Sequence, residues 1–259
     1  MPTTGGDVLL DHGHDGQVAY LTLSHGGYTV VTMQMRAKMA ERFAEIDRDE
    51  RVRAVVVRSD GKHFTSGGDI AGFMEVDPID LTALGHDITA PSRSPKPVVA
   101  AIDGYCFGVG LELVLSCDIR LATERSEFAL PELNLGMIPG SGGTQRLARL
   151  IGLSRAKYHI LTAKRIRAAA AHDWGLVAEL HADREALEAA VEELVTTLVA
   201  FSPAALRTAK EVLDRGVDGP LYTGIELERK AYAMLRGTQD FAEGVKAFAE
   251  KRKPHFTGR

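Results

Sequence analysis

The sequence predicts an α/β protein whose strands pair mainly in parallel. Short apolar runs of strand length recur through the first half of the chain, and helical segments separate them. The second half changes to helix after helix and keeps little strand signal. Strands that alternate with helices are typical of α/β folds, because each helix carries the chain back to the start of the next parallel strand.

A strand, a helix and a second strand open the pattern. Residues 18–23 form an apolar run that predicts a strand, and the glycines at 26 and 27 end it. Within residues 33–48, four apolar side chains recur at helical spacing: Met35, Met39, Phe43 and Ile46. This spacing predicts an amphipathic helix, which is followed by a strand at 54–57.

Two more strands are predicted further along the chain. The apolar run at 98–102 comes directly after Pro97, and the run at 119–122 follows a predicted helix that extends from near Gly108 to near Cys117. Beyond Thr144 the predicted elements are helices, and only Val177 and Ala178 suggest a further strand. These helices are expected at 154–163, 168–174, 184–201 and 203–215, with two more on either side of Gly237.

The composition is that of an ordinary globular protein with a slight acidic excess. Of 259 residues, 45% are hydrophobic, and 35 acidic residues against 31 basic ones give a net charge of −4. This balance gives no overall attraction for nucleic acid or anionic membrane, so neither is expected as a partner. The N-terminus lacks the features of a secretory signal, and no uncharged run could span a bilayer, so we expect a cytoplasmic protein.

The cysteines and histidines do not indicate a metal site. Cys106 and Cys117, the only cysteines, stand in apolar surroundings and form no C-x-x-C pair, which suits reduced packing residues. None of the nine histidines belongs to an H-E-x-x-H or comparable pattern. His63 precedes a glycine-rich loop and is interpreted as structural or solvated. We therefore expect no bound metal.

Two glutamates, Glu112 and Glu132, lie in glycine-dense apolar surroundings. Carboxylates are rarely placed among apolar residues unless they are paired or used. Partial burial raises a carboxyl pKa toward neutrality, so two such groups in different settings can serve as general acid and general base. An intervening strand can bring them together. The alternative is structural: Glu112 pairs within its helix and Glu132 bonds a turn.

Two glycine-containing loops could polarise a carbonyl group. Gly67 and Gly68 follow the second strand after a short turn, and Gly108 and Gly110 flank Val109 where a helix begins. The first N–H groups of a helix have no intrahelical partner. If the N–H groups of Gly68 and Val109 converge, they form an oxyanion hole. Each loop alone is better explained as an ordinary glycine turn, and only the combination with the two glutamates favours the oxyanion hole.

Two other reaction classes have little support. The glycines at 108 and 110 are not followed by the third glycine of a dinucleotide-binding fingerprint. The segment from Pro139 to Gly143 contains a serine, Ser141, but does not complete a G-x-S-x-G nucleophile elbow. The sequence therefore favours neither a Rossmann dehydrogenase nor a serine hydrolase.

Taken together, the motifs resemble those of the crotonase, or enoyl-CoA hydratase/isomerase, superfamily. Order and spacing agree over nearly the whole chain, through the segments 64–70, 96–105, 108–113, 117–118, 128–132, 135–140, 142–146 and 248–253. The resemblance implies a spiral of ββα units with a C-terminal helical region. It also implies assembly as a homotrimer or a dimer of trimers. We expect residues 1–200 to form the core with the acyl-CoA site and residues 201–259 to serve trimerisation.

The resemblance further implies acyl-CoA substrates and assigns the site residues. Gly68 and Val109 would hold the thioester oxygen of an enolate, and Glu112 and Glu132 fall on the two glutamates that hydratases use. Isomerases typically keep only the second glutamate. The implied reaction is therefore hydration of a 2-enoyl-CoA to a 3-hydroxyacyl-CoA, or the reverse dehydration. Coenzyme A is part of the substrate, and no separate cofactor is expected.

Other reactions of the superfamily remain open. An enoyl-CoA isomerase or a cyclic β-ketoacyl-CoA hydrolase would use the same oxyanion hole with different acid and base placement. Some members bind RNA, and an idle scaffold is a further alternative; the two glutamates and the acidic balance argue against both.

The resemblance also assigns substrate-binding residues, and the sequence departs from the family pattern at two places. The assigned residues are Ser66, Gly67, Asp69, Ile70, Gly140, Phe248 and Lys251, the last two toward the coenzyme of a neighbouring subunit. Asp69 is also explained as ordering its loop, and Phe248 and Lys251 as a packing aromatic and a solvated basic residue. Ser24 to Gly27 stand where many members have Asn-Arg-Pro, and Val109 replaces a usual glycine. Residues 71–95 are expected to shape acyl specificity.

Overall fold

The computed structural model describes residues 5–259, in which the strands form three sheets. In chain order the strands are β1 (Asp7–Gly13), β2 (Val18–Ser24), β3 (Val30–Val31), β4 (Ala54–Ser59), β5 (Gly67–Gly68), β6 (Val98–Ile102), β7 (Tyr105–Phe107), β8 (Ile119–Thr123), β9 (Glu127–Ala129), β10 (Ile166–Arg167) and β11 (Glu179–His181). The α-helices are α1 (Met33–Arg48), α2 (Ile70–Phe73), α3 (Pro78–Ile88), α4 (Val109–Leu115), α5 (Gly143–Ile151), α6 (Leu153–Thr162), α7 (Ala168–Asp173), α8 (Arg184–Ala200), α9 (Pro203–Val217), α10 (Leu221–Leu235) and α11 (Gln239–Ala249). Three 3-10 turns cover His14–Gly16, Ala90–Arg93 and Glu132–Leu135.

The largest sheet has six strands in the order β1-β2-β4-β6-β8-β11. Only β1 runs antiparallel to its neighbour, and every other pair is parallel, with Val18 opposite Ala54 and Val55 opposite Val98. The predicted α/β class with mainly parallel pairing is confirmed.

A second layer of short strands gives the chain a repeating structure. Each of four long strands is followed by a short strand and then a helix, as β2-β3-α1, β4-β5-α2, β6-β7-α4 and β8-β9-α5. The short strands form the sheets β10-β9-β7 and β3-β5, and an isolated bridge between Thr65 and Cys106 connects them. This arrangement is the expected succession of ββα units, and it brings the ends of β5 and β7 side by side.

The central sheet buries both of its faces, because side chains alternate along each strand. Val55 and Val57 belong to the core cluster with α1, whereas Val56 between them belongs to the cluster with α8. The four apolar residues predicted for the buried face of α1 are all buried. Thr32 begins that helix, and its hydroxyl accepts the N–H of Met35 at 3.2 Å.

The helices after α8 are less well covered than the rest of the chain. No residue of α9 or α10 is buried in this single chain. Large apolar side chains on these two helices are exposed: Leu213, Val217, Leu221, Tyr222, Tyr232 and Met234. An ion pair of 2.8 Å between Lys210 and Asp118 ties α9 to the core. Among residues 5–259, no single helix has the length and apolar character to cross a bilayer; only α8 and α9 counted together, bent by 106°, reach that length and composition.

The predicted strand at Val177 and Ala178 begins slightly later than expected. The N–H of Ala178 donates to the carbonyl of Arg120 at 2.8 Å, so the chain joins the sheet at this residue. The strand itself, β11, starts at Glu179. The predicted helix ends agree with the structure to within one or two residues, as at α8 and α9.

Candidate active site

A cavity of about 160 Å³ opens where the turn after β5, the start of α4 and the loop before α5 meet. The structure brings together eight of the residues that the sequence analysis assigned to the site. These are Ser66, Gly67, Gly68, Ile70, Val109, Glu112, Glu132 and Gly140.

Glu112 lies on α4 and is 3% exposed. Its Oε1 accepts two main-chain hydrogen bonds, from the N–H of Ser141 at 2.6 Å and from the N–H of Gly143 at 3.0 Å. Only glycine fits comfortably at 143, since a Cβ there would lie 3.0 Å from Glu112 Cγ. Burial raises the pKa of Glu112, and the two N–H donors oppose that rise. The carboxyl is thus held in one position by main-chain groups.

Glu132 is the first residue of the turn Glu132–Leu135 and is half-buried. Its Oε2 is shielded from solvent and has no hydrogen-bond partner among residues 5–259. Burial raises the pKa of Glu132 to about 7, and the negative charge of Glu112 adds to the rise while Arg36 opposes it. A carboxyl with a pKa near neutrality and an unoccupied oxygen is suited to exchange a proton with a ligand.

The two glycine loops contact each other beside Glu132. Gly67 and Gly108 both have positive φ values, 123° and 54°, a region that favours glycine. A Cβ on Gly108 would lie 3.3 Å from Glu132 Oε1 and 3.9 Å from the Cα of Gly67. Val109 is the first residue of α4, so its N–H has no partner within the helix. Gly68 also lines the cavity. It belongs to β5, where it pairs with Val31 of β3.

Thr65 keeps these loops in place. Its hydroxyl accepts the N–H of Gly67 at 3.0 Å, and its main chain bonds to Tyr105 and Phe107 of β7. The α4 helix packs on the same side chain so closely that a Cβ on Gly110 would lie 1.8 Å from Thr65 Cγ2. Thr65 is fully buried. The loop that carries Gly68 is therefore positioned by packing as well as by hydrogen bonds.

Arg36 is a site residue that the sequence analysis missed. It lies on α1, is 4% exposed and lines the cavity. Its guanidinium carbon is 4.8 Å from the centroid of the Phe73 ring. A signal was present in the sequence: Arg36 stands three and seven residues before Met39 and Phe43, so a cation occupies the apolar stripe of the helix.

Three assigned residues do not line the cavity. Asp69 precedes α2 and is buried; its N–H donates to the carbonyl of Val31 at 3.0 Å, and its carbonyl accepts the N–H of Phe73. Phe248 and Lys251 are exposed at the end of the C-terminal helical region. Their assignment to the coenzyme of a neighbouring subunit stays a prediction.

The stretch 71–95 contributes three residues to the cavity wall, Phe73, Leu81 and Gly85. A Cβ on Gly85 would lie 3.1 Å from Ser141 Oγ, so α3 packs directly on the loop that donates to Glu112. Cys106 and Cys117 are buried free thiols. Within residues 5–259, no group of three or more His, Cys, Asp or Glu side chains is placed to hold a metal ion.

Comparison with known proteins establishes the class. The family model for enoyl-CoA hydratase/isomerase matches residues 14–259, and the chain belongs to this family. It is 34% identical over 253 residues to the short-chain-enoyl-CoA hydratase of Clostridium acetobutylicum, covering 95% of this chain and 96% of the relative.

Two further proteins support the assignment. The chain is 37% identical over 217 residues to the 2,3-dehydroadipyl-CoA hydratase of Escherichia coli, covering 82% of this chain and 83% of that protein. The crystal structure of an enoyl-CoA hydratase from Bacillus anthracis superposes with a TM-score of 0.89 at 32% identity, covering 97% of this chain and 99% of that one. The predicted superfamily and its fold are confirmed.

Proposed function

We propose that this protein hydrates a 2-enoyl-CoA thioester to a 3-hydroxyacyl-CoA, or catalyses the reverse dehydration. The observation that supports this reaction is a pair of carboxyls, Glu112 and Glu132, that line one cavity but differ in burial and hydrogen bonding. Hydration needs one group to activate water and another to deliver a proton to the α-carbon. Two carboxyls with different surroundings suit this division.

In the proposed reaction the thioester oxygen is held by the N–H groups of Gly68 and Val109. Negative charge develops on that oxygen when water attacks the β-carbon, and fixed main-chain dipoles stabilise it without reorganising. The contact between the two glycine loops supports this role. Coenzyme A enters as part of the substrate, and the reaction requires no other cofactor.

The two glutamates take different roles in this proposal. Glu112, whose Oε1 is held by two N–H groups, positions the water and accepts its proton. Glu132, whose pKa lies near 7, delivers a proton to the α-carbon. After the reaction, Glu112 carries a proton and Glu132 has lost one, so the pair holds the same number of protons as before. One proton transfer from Glu112 to Glu132 then returns the site to its starting state.

The reaction is tested with purified protein and a panel of thioesters. Crotonyl-CoA and longer or branched 2-enoyl-CoAs should lose the absorbance of the conjugated thioester and yield 3-hydroxyacyl-CoA. Absence of turnover across this panel contradicts the proposal. Turnover of a 3-enoyl-CoA without hydration would instead assign the protein to isomerisation, and ring opening of a cyclic β-ketoacyl-CoA would assign it to hydrolytic cleavage.

We also propose that the protein assembles as a homotrimer or a dimer of trimers through residues 201–259. The exposed apolar side chains of α9 and α10 support this proposal, since such patches on soluble proteins mark interaction surfaces. Light scattering should give a mass three or six times the 28.0 kDa of the chain. A monomeric or dimeric mass contradicts it.

A further inference from the structure

Arg36 is a buried cation with an N–H group that has no hydrogen-bond acceptor among residues 5–259. It is 4% exposed, and within the part of the chain that the structure describes its Nε has no hydrogen-bond acceptor. Buried charges in proteins are normally paired, because leaving one unpaired costs several kcal/mol in solvation that is not recovered. A buried guanidinium on a cavity wall with an unused N–H group therefore indicates that a ligand supplies a further acceptor.

The guanidinium lies at the oxyanion-loop side of the cavity. A Cβ on Gly68 would be 3.0 Å from Arg36 Nη2, and the ring of Phe73 packs against the guanidinium at 4.8 Å from its centroid to Cζ. These contacts fix the orientation of the planar group beside the backbone that is proposed to hold the thioester. Burial lowers the pKa of Arg36 to about 10, so it stays protonated at neutral pH.

Neither glutamate of the site supplies the missing acceptor. Glu112 and Glu132 influence Arg36 as charges, and the Oε1 of Glu112 is engaged by the N–H groups of Ser141 and Gly143. Glu132 Oε2 is itself without a hydrogen-bond partner among the described residues. An unpaired donor and an unpaired acceptor therefore belong to two residues that line the same cavity.

The thioester carbonyl does not account for Arg36 either. In the proposed function, main-chain N–H groups hold that oxygen, and Glu112 and Glu132 act at the β- and α-carbons. A guanidinium presents N–H groups in a planar fork that matches a carboxylate, and charge-assisted bonds of this kind are among the strongest in proteins. Apolar side chains also line the cavity, among them Ile70, Leu81 and Phe73, whose ring packs against Arg36.

We infer that the preferred substrate is an enoyl-CoA whose acyl group carries a carboxylate, and that Arg36 binds this carboxylate. The inference rests on the proposed function of the same site. It makes Arg36 the specificity-determining residue of the acyl pocket, with the anionic end of the acyl chain against α1 and the thioester against the glycine loops.

Binding and turnover are measured with matched pairs of thioesters. Glutaryl-CoA and pentanoyl-CoA are saturated, differ at the terminal carbon and test binding by calorimetry without any reaction. Glutaconyl-CoA and pent-2-enoyl-CoA are the corresponding reactive pair. Wild-type protein should bind glutaryl-CoA more tightly than pentanoyl-CoA and should turn over glutaconyl-CoA with the higher kcat/KM.

The variant Arg36→Met removes the charge and keeps an apolar stem. It should weaken glutaryl-CoA binding and lower kcat/KM for glutaconyl-CoA roughly 10- to 100-fold, the scale for losing a hydrogen bond to a charged group. The charge of Arg36 also acts on both glutamates, so the readout is the preference for the charged over the neutral member of each pair. This preference should fall by the same factor in Arg36→Met, and Arg36→Lys should recover part of it. Arg58→Met is the matched control, because Arg58 also lies 4.8 Å from an aromatic ring, that of Tyr20, but outside the cavity.

Two outcomes would overturn the inference. One is equal or tighter binding of pentanoyl-CoA by the wild-type protein. The other is an equal loss for both members of each pair in Arg36→Met, accompanied by a shifted pH profile, which would make Arg36 a residue that only sets the charge of the glutamates. Hydration of crotonyl-CoA decides the proposed function separately, since the binding comparison does not depend on turnover.

Discussion

The two cavity walls that carry Glu112 and Glu132 differ in the hydrogen bonds that they donate to the carboxyl group. Around Glu112, a buried helix and the loop from Ser141 to Gly143 provide two N–H donors to one oxygen. Around Glu132, a short turn leaves one buried oxygen without a hydrogen-bond partner in the part of the chain that the structure describes, and burial raises the pKa of the carboxyl to about 7. A fixed carboxyl can hold a water molecule in place and accept its proton, whereas a carboxyl with a pKa near 7 can deliver a proton. In the proposed mechanism, burial and main-chain hydrogen bonds would therefore set the acid and base roles, because the two residue types are identical.

The largest expected effect comes from neutralising either carboxyl. Glu132→Gln and Glu112→Gln should each lower kcat for crotonyl-CoA hydration by roughly 10²- to 10⁴-fold, the usual range for losing a general acid or base. Glutamine keeps the shape of the side chain, so substrate binding should change little. Steady-state kinetics with circular dichroism of each variant checks this prediction.

The same pair of variants also tests whether the two carboxyl groups act together in one step. If the glutamates exchange one proton within a single step, the double variant should be scarcely slower than the slower single variant, because groups that act as a unit are not additive. Full activity in either single variant would remove that residue from the proposed mechanism.

The next effect concerns the packing that keeps the Glu112 wall rigid. Gly110→Ala places a Cβ 1.8 Å from Thr65 Cγ2 in a buried contact. The free energy of unfolding should fall by about 1–3 kcal/mol, the usual cost of overpacking a core. Urea unfolding of the variant beside the wild type measures the difference.

Two further variants make this test specific. Gly27→Ala is the control, because a Cβ there meets nothing within 4 Å, and its stability should stay within about 0.5 kcal/mol of wild type. Adding Thr65→Ser to Gly110→Ala removes the clashing methyl while keeping the hydroxyl that binds Gly67, so stability should partly return. No recovery would show that the loss arises elsewhere.

A smaller effect follows from the raised pKa of Glu132. The folded-state pKa of about 7 exceeds the value of about 4.3 for an unfolded chain, so the folded protein binds this proton more tightly. The stability that this group contributes is fully present below about pH 4.3 and is lost as pH rises through 7. Glu132→Gln lacks the ionisable group, so it should gain stability relative to wild type between pH 5 and pH 8.

Urea unfolding of both proteins at the two pH values measures this change. A stability difference that is the same at pH 5 and pH 8 would mean that Glu132 ionises as freely in the folded protein as in the unfolded chain. The orphaned oxygen would then be solvated, and the contrast between the two walls would disappear.

The smallest expected effect is at Ser141. Its main-chain N–H holds Glu112 at 2.6 Å, and alanine supplies the same group. Ser141→Ala should therefore lower kcat for crotonyl-CoA by less than about tenfold, well short of the effect of Glu112→Gln. A loss as large as that of Glu112→Gln would show that the hydroxyl, rather than the main chain, positions the carboxyl.

Long elements with clear periodicity were predictable from the sequence, whereas short ones were not. The apolar run at Val98–Ile102 and the helix Arg184–Ala200 were predicted to within one residue. The strands Val30–Val31 and Gly67–Gly68 were missed, because two residues carry no periodicity and pair only through the tertiary fold. The edge strand Asp7–Gly13 was missed since its polar residues hide the alternation.

The carboxyl side chains of the site were predictable from the sequence, whereas the main-chain groups around them were not. Glu112 and Glu132 stand out as carboxyls among apolar residues, and the glycines mark the loops around them. The N–H groups of Ser141 and Gly143 that hold Glu112 are main-chain atoms, which residue identity does not reveal. Arg36 was overlooked because a single cation in an amphipathic helix is usually solvated, although its spacing from Met39 and Phe43 placed it on the buried face.

The pH dependence of kcat/KM for crotonyl-CoA hydration tests the central claim most directly, because it reports the proton that the glutamate pair must hold. We predict that kcat/KM declines above about pH 7, where Glu132 loses its proton. The same decline is expected in the dehydration direction, since the reaction releases no net proton. A profile that stays flat from pH 6 to pH 9, with chemistry rate-limiting, would contradict the account.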